Sequence, residues 1–227
     1  MPGSCRTAHN PLASITSRAQ KAEIGGAPVG DEDHGQDRRA DEQCQQDPPL
    51  CLKVTLYGTK PPVWRRLLIP GEMTLGDLHQ AIQAAMGWDG GHLHAFDIAG
   101  RQYGDPDSLD EVADEERLTL NKVLNTGVSR FTYTYDLGDN WEHTVLIERP
   151  RRPLEAGRYP ACLAGKRNCP PEDCGGPWGY QDLLAVLTDP AHPAYLERVE
   201  WVGEGFDPEE FAIEEANARL AARFAST

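Results

Sequence analysis

From Leu50 onward the apolar positions fall at every second residue. In "LCLKVTLY" Leu52, Val54 and Leu56 share one face, the period of a half-buried strand. A turn rich in Gly and Pro, "GTKPP", follows, and "VWRRLLIP" runs back as a second strand, so the two read as a hairpin. Alternation places Arg65 and Arg66 on opposite faces, so at most one of them points into any shared pocket. The period then changes. In "TLGDLHQAIQAAMGW" Leu75, Leu78, Ile82 and Ala85 form one helical stripe, Thr74 and Asp77 stand at capping-box spacing, and Gly87 ends the pattern. His79, beside Leu78, reads as an ordinary helix residue.

"HLHAFDI" and "RQY" around Gly100 predict a further hairpin, and the acidic "GDPDSLDEVADEER" an exposed loop. "LTLNKVLNTG" predicts a short helix. The clearest hairpin is "FTYTYDLGDNWEHTVLIER": Phe131, Tyr133 and Tyr135 share one face, and Trp141, His143, Val145 and Ile147 share a face on the return strand. After Pro150 comes a long loop with three cysteines, then helices. Tyr180, Leu183, Leu184 and Leu187 stand at helical spacing. For the last helix, Asp207 is placed as N-cap, Pro208 at N1 and Glu210 at N3, with Phe206 and Phe211 as a hydrophobic staple.

Strand pairs joined by tight turns, with helices between and after them, predict an α+β fold. The expected sheet is mostly antiparallel or mixed, of about five to six strands, with helices packed on one side. Hairpin, helix and second hairpin also follow the order of a β-grasp fold, a likeness that carries no function.

Composition confines this domain to part of the chain. All 17 aromatic residues lie between Tyr57 and Phe224. A segment with none cannot bury enough surface to offset its ordering entropy, so residues 1–49 are expected to be a disordered acidic and polar tail ahead of a domain over 50–227. The tail has no apolar core of a signal peptide and reads as a solvated extension or the product of an upstream start. No stretch approaches the ~20 apolar residues that span a bilayer, and a cytoplasmic protein with no membrane partner is expected. Formal net charge is −14; the tail holds 5 basic and 8 acidic residues, leaving 17 and 28 in the remainder, a balance of −11. That balance argues against direct nucleic-acid binding, although a local patch such as Arg149, Arg151 and Arg152 stays open.

The motifs "PPVWRRLLIP", "TLGDLHQAIQAAMGW", "HLHAF", "YTYDLGDNWEH" and "CPPEDCGGPWGY" resemble, in order and over roughly residues 50–224, the plasmid pRiA ORF-three-like family. The resemblance implies a compact bacterial α+β domain associated with plasmids and other mobile elements. It supplies no reaction.

Candidate chemistry concentrates in two places. Cys162, Cys169 and Cys174 are spaced C-x6-C-x4-C, looser than a zinc knuckle. With His143 as fourth donor they would make a structural zinc site stapling the loop. The alternative is thiols packed as small apolar residues; a disulfide suits a reducing cytosol poorly. In "DLGDNWEH", Asp136, Asp139, Glu142 and His143 near Glu172 and Asp173 could instead hold Mg²⁺, Mn²⁺ or Zn²⁺ and activate water, although Glu142 points away from His143. The plainer reading of the same stretch is a turn with a packed Trp141. His92 and His94, two apart on a strand, could chelate one ion or be half-buried histidines. "EDCGGPWGY" opens a helix and could receive an anion, unless Glu172 and Asp173 supply the charge. No serine-nucleophile, dinucleotide or zincin motif occurs. Two functions follow: a non-catalytic module with a structural zinc that binds a protein or small ligand, or a metal-dependent hydrolase or nuclease using the Asp139, His143 and Asp173 region.

Overall fold

The alternation from Leu50 builds β1 (Leu50–Leu56), which pairs antiparallel with β2 (Trp64–Ile69) and, on its other edge, with β7 (Trp141–Glu148). The structure, a computed structural model, describes residues 48–148, 159–203 and 205–225. The expected tail, up to Asp47, and the Arg149, Arg151 and Arg152 patch lie outside the described residues.

The remaining elements are α1 (Leu75–Met86), β3 (His94–Ile98), β4 (Arg101–Gly104), β5 (Ala113–Asp114), α2 (Leu120–Asn125), β6 (Arg130–Tyr135), β8 (Ala161–Lys166), α3 (Gly176–Leu187), α4 (Tyr195–Val202) and α5 (Ile213–Arg223). The strands form one eight-stranded sheet in the order β5-β4-β3-β6-β7-β1-β2-β8. Every pairing is antiparallel except β4 with β5, so the sheet is mixed and the fold α+β, as expected. The hairpin, helix, hairpin order is present, with the β6–β7 hairpin inserted between the two. Among the described residues no helix is long and apolar enough to cross a membrane.

Register fixes the two faces. Tyr133 stands between Phe96 and His143, Val54 between Val145 and Arg65, and Leu52 between Ile147 and Leu67. These residues are buried and α1 lies over them, tied to the sheet where Gln83 Nε2 donates to the Tyr133 hydroxyl at 2.8 Å. Each fully buried Leu, Val or Phe contributes about 1.5–3 kcal/mol. The expected capping box is in place: Thr74 Oγ1 accepts from the Asp77 N–H at 3.0 Å, and Asp77 Oδ2 accepts from the Thr74 N–H at 2.9 Å.

Three elements depart from the expectation. The sheet has eight strands instead of five to six because β5 and β8 form within segments that read as loops. Cys162 therefore sits in a strand, paired with Leu67 of β2. The acidic stretch is not a solvated loop throughout: a bridge between Thr74 and Thr119 and the Leu75 N–H to Leu118 carbonyl bond pin its end to the start of α1. A single 3-10 turn, Glu115–Arg117, then turns Glu115 inward. Finally, α5 starts at Ile213 and not after Asp207. Asp207 Oδ1 accepts from the Glu209 N–H in a turn, and Phe211 leaves the helix to stack under the Arg65 guanidinium at 4.2 Å.

Candidate functional site

Three segments far apart in sequence meet at one end of the sheet: the loop before β3, the turn after β6 and the cysteine loop before α3. Asp136 follows β6 in a left-handed conformation (φ 52°), and its Oδ1 accepts from the Gly138 and Asp139 N–H groups. That Asx turn occupies one carboxylate oxygen and leaves Oδ2 facing the His92 ring, with Nδ1 at 3.8 Å. Asp173, from the cysteine loop, places Oδ1 3.5 Å from His92 Nε2. The donor atoms of His92, Asp136 and Asp173 lie within 4.8 Å of one another, the separation of ligands that close on one ion with small adjustments. Asp136 is buried, His92 half-buried and Asp173 exposed, so the group opens to solvent on one side.

Beside it the Tyr135 hydroxyl donates to Glu172 Oε1 at 2.5 Å, and burial followed by this bond raises the tyrosine pKa. Glu172 Oε2 accepts from the Asp89 N–H at 3.5 Å, which fixes the cysteine loop against the end of α1.

On the other side a cavity of about 450 Å³ is lined by His79, His92, His94, Asp105 and Glu115 among others. Among the described residues its lining carries five carboxylates and three imidazoles and no Lys or Arg, with the Arg223 charge close to His79, a balance that favours cations. His94 and His79 stack with ring centres 3.5 Å apart and planes 3° from parallel. His94 Nε2 meets both oxygens of the buried Glu115, at 3.0 and 3.1 Å. His79 Nδ1 lies 2.7 Å from the Tyr133 hydroxyl, which also takes the Gln83 amide. Burial, with the nearby His94 and Arg223 charges, lowers the His79 pKa to about 3, so this ring is neutral.

Several expected partners are elsewhere. His143 is fully buried in the core, with Nδ1 3.3 Å from the Tyr133 carbonyl and Nε2 without a partner among the described residues. Trp141 is a core residue too. Cys162, Cys169 and Cys174 do not gather with His143 into a group of three or more donors around one point. Burial raises all three thiol pKa values, Cys174 to about 12, which keeps them protonated. With Cys51 they are free thiols. His92 and His94 do not share an ion position either: one faces Asp136 and Asp173, the other Glu115. Of the expected carboxylates, Asp136 and Asp173 come together, while Asp139 caps α3 by accepting from the Gly175 N–H through Oδ2 at 3.1 Å. Asp139 thus supplies the negative charge at that helix start.

The same contact closes the cysteine loop on the β6–β7 turn through Gly176. This residue has φ 65°, and a Cβ there would stand 2.3 Å from the Asp139 carbonyl oxygen. Gly176→Ala is expected to lose about 1–3 kcal/mol in urea unfolding, from backbone strain and the displaced turn.

Sequence reading missed His79 and Glu115. His79 sits at the margin of the α1 stripe, one residue from Leu78, and that position was a usable signal; Glu115 was hidden in an acidic run whose fold depends on the distant Thr74.

A family model for plasmid pRiA4b ORF-3-like protein matches residues 49–215, in agreement with the sequence resemblance. The uncharacterised protein y4hQ of Sinorhizobium fredii is 44% identical over 155 residues, 67% of this chain and 79% of that protein. The crystal structure of a protein of unknown function, MM3350 from Methanosarcina mazei Go1, is similar in fold with a TM-score of 0.67 and 39% identity, over 74% of this chain and 96% of that one.

Proposed function

The chain belongs to the plasmid pRiA4b ORF-3-like family, and on that premise we propose that it is a binding domain whose acidic cleft takes a divalent cation at His92, Asp136 and Asp173. The convergence of these three donors within 4.8 Å carries the reading. One imidazole and two carboxylates suit Zn²⁺ or Mn²⁺ better than a thiolate-seeking ion. Three protein donors leave positions for water or for an oxygen of a bound partner, so the ion serves as the attachment point for a small anionic ligand or an acidic side chain of a protein.

Titration of the full chain with Zn²⁺, and with Mn²⁺ followed by electron paramagnetic resonance, tests this. One ion per chain is expected, with at least tenfold weaker binding in Asp136→Asn. Asparagine keeps the Oδ1 that accepts in the turn and replaces the ligating Oδ2 by an N–H donor, so the variant is expected to fold. At a hundredfold excess over Kd the ion is expected to stabilise the fold by about 2.7 kcal/mol, seen as a rise in melting temperature in the parent alone. Equal binding by parent and variant removes the assignment.

A second reading has one specific observation behind it. The His94–Glu115 pair lines the cavity beside the ion position, an imidazole oriented by a buried carboxylate as a general base requires. On this reading the domain is a metal-dependent hydrolase. Zn²⁺- or Mn²⁺-dependent cleavage of bis(p-nitrophenyl) phosphate that falls at least a hundredfold in Glu115→Gln supports it; metal binding without turnover supports the binding module.

A further inference from the structure

The sheet face turned away from α1 carries a second surface of opposite sign. Lys53 and Thr55 of β1, Arg130 of β6, and Thr144 and Leu146 of β7 line an open groove of about 770 Å³. Register lays these residues out in rows. Arg130 stands opposite Leu146, Leu146 opposite Lys53, and Lys53 opposite Arg66 of β2, so one row crosses four strands over about 14 Å with Arg130 and Lys53 as its unpaired cations, Arg66 being held by Glu148. The next row is Thr132, Thr144, Thr55 and Trp64. Lys60, from the β1–β2 turn, adds a further cation to the groove.

Two aromatic rings stand at the rim. Trp178, in the first turn of α3, is 82% exposed, and Tyr57 is 67% exposed. Large rings left this open on one groove mark a contact surface. Lys53, Lys60 and Arg130 form no ion pair among the described residues, and the groove's carboxylate, Asp139, is already engaged by the Gly175 N–H. The balance of −11 over the domain is therefore reversed locally.

We infer that this groove binds single-stranded nucleic acid, with the Arg130–Lys53 row and Lys60 on the phosphates and Trp178 and Tyr57 stacked on bases. An anionic, extended ligand matches the cations; unpaired bases supply the flat faces that the two rings need, which an acidic peptide does not. The hydroxyl row of Thr55, Thr144 and Thr132 offers donors between the two. Phosphate contact and ring stacking carry little sequence information, so binding is expected to depend only weakly on sequence. The site is separate from the ion cleft and does not depend on it.

The test is fluorescence anisotropy of a labelled twenty-residue oligothymidylate with the full chain at 50 mM salt. Micromolar binding is expected. Log affinity should fall against log salt with a slope of about −2, as for three phosphates at about −0.7 each. Trp178→Ala, at an exposed position that leaves the core intact, is expected to weaken binding fivefold or more. Arg130→Ala should weaken it and flatten the slope, and the exposed Arg117→Ala, outside the groove, should do neither. The inference is overturned by no binding at 50 μM protein, by equal binding by Trp178→Ala, or by displacement of the oligonucleotide by polyglutamate at equal charge. Preference for a duplex of the same length also overturns it, because a duplex hides its base faces.

Discussion

Acidification from pH 7 to pH 5 is expected to remove about 4 kcal/mol of stability, because the fold holds His79 and His143 as neutral imidazoles. Burial lowers the His143 pKa to about 4, against an opposing pull from the Tyr133 and Trp141 backbone groups. Burial and the His94 and Arg223 charges lower the His79 pKa to about 3. In the unfolded chain both rings titrate near the usual histidine value of about 6.5. Between that value and the folded ones the unfolded chain binds more protons, so stability is complete above about pH 6.5 and falls as the pH drops through the window. Each ring is expected to cost about 2 kcal/mol by pH 5 and more below it. Against a total of roughly 5–15 kcal/mol this is a large fraction, and urea midpoints measured at pH 7.5, 6, 5 and 4.5 would show it. His143→Leu isolates one ring. It fills a similar volume, removes the unpaired Nε2 and abolishes the titration, so it should hold stability at pH 7 and halve the loss at pH 5. A midpoint that stays level between pH 7 and pH 5 in the parent would contradict the buried neutral state of both rings.

The same histidines show where sequence reading reached and where it stopped. Alternation in "WEHTVLIE" correctly put His143 on the inward face with Trp141, Val145 and Ile147. The face was legible from eight residues, but its depth was not, because β1 and Trp88, which pack against it, come from distant segments of the chain. His143 and Cys169 are both buried, yet their donor atoms form no cluster with Cys162 and Cys174 around one point. Asp136 and Asp173 were legible as carboxylates near one another because the β6–β7 turn and the cysteine loop each carry recognisable turn chemistry. The third member, His92, was paired with His94 by strand alternation, yet β3 begins at His94, and a residue ahead of a strand need not share its faces. The basic row across the sheet was invisible in composition, since Lys53, Arg66 and Arg130 become neighbours only through register. Net charge averages over such a row and hides it.

Replacing Arg65 by methionine is expected to cost about 3–5 kcal/mol, whereas the same change at Arg66 should cost less than about 1 kcal/mol. The two are adjacent in β2, and alternation alone separates them. Arg66 points outward and pairs with Glu148 at 2.7 Å, with both side chains partly in water, where ion pairs contribute little. Arg65 points inward and is 2% exposed. Its Nε donates to the Ala85 carbonyl at 3.0 Å, and Nη1 donates to the Trp64 and Lys166 carbonyls at 2.9 and 3.2 Å. It therefore joins the last turn of α1 to the β2–β8 edge, and its charge sits at the negative end of the α1 dipole, where Arg219 also donates to the Ala84 carbonyl. Phe211 stacks on the guanidinium, and Gly165 makes room for both: a Cβ there would lie 2.6 Å from the Phe211 ring. Methionine matches the length of the aliphatic stem but strands buried acceptors, at about 1–3 kcal/mol for each one left unsatisfied. Lysine at position 65 should recover less than half of the loss, since one ammonium cannot reproduce a planar fork aimed at a helix end and a strand. Urea midpoints of Arg65→Met, Arg65→Lys and Arg66→Met under one condition decide the point. Near-equal midpoints for the two methionine variants would mean that α1 is held to the sheet by its apolar stripe alone and that the buried guanidinium contributes nothing to the joint.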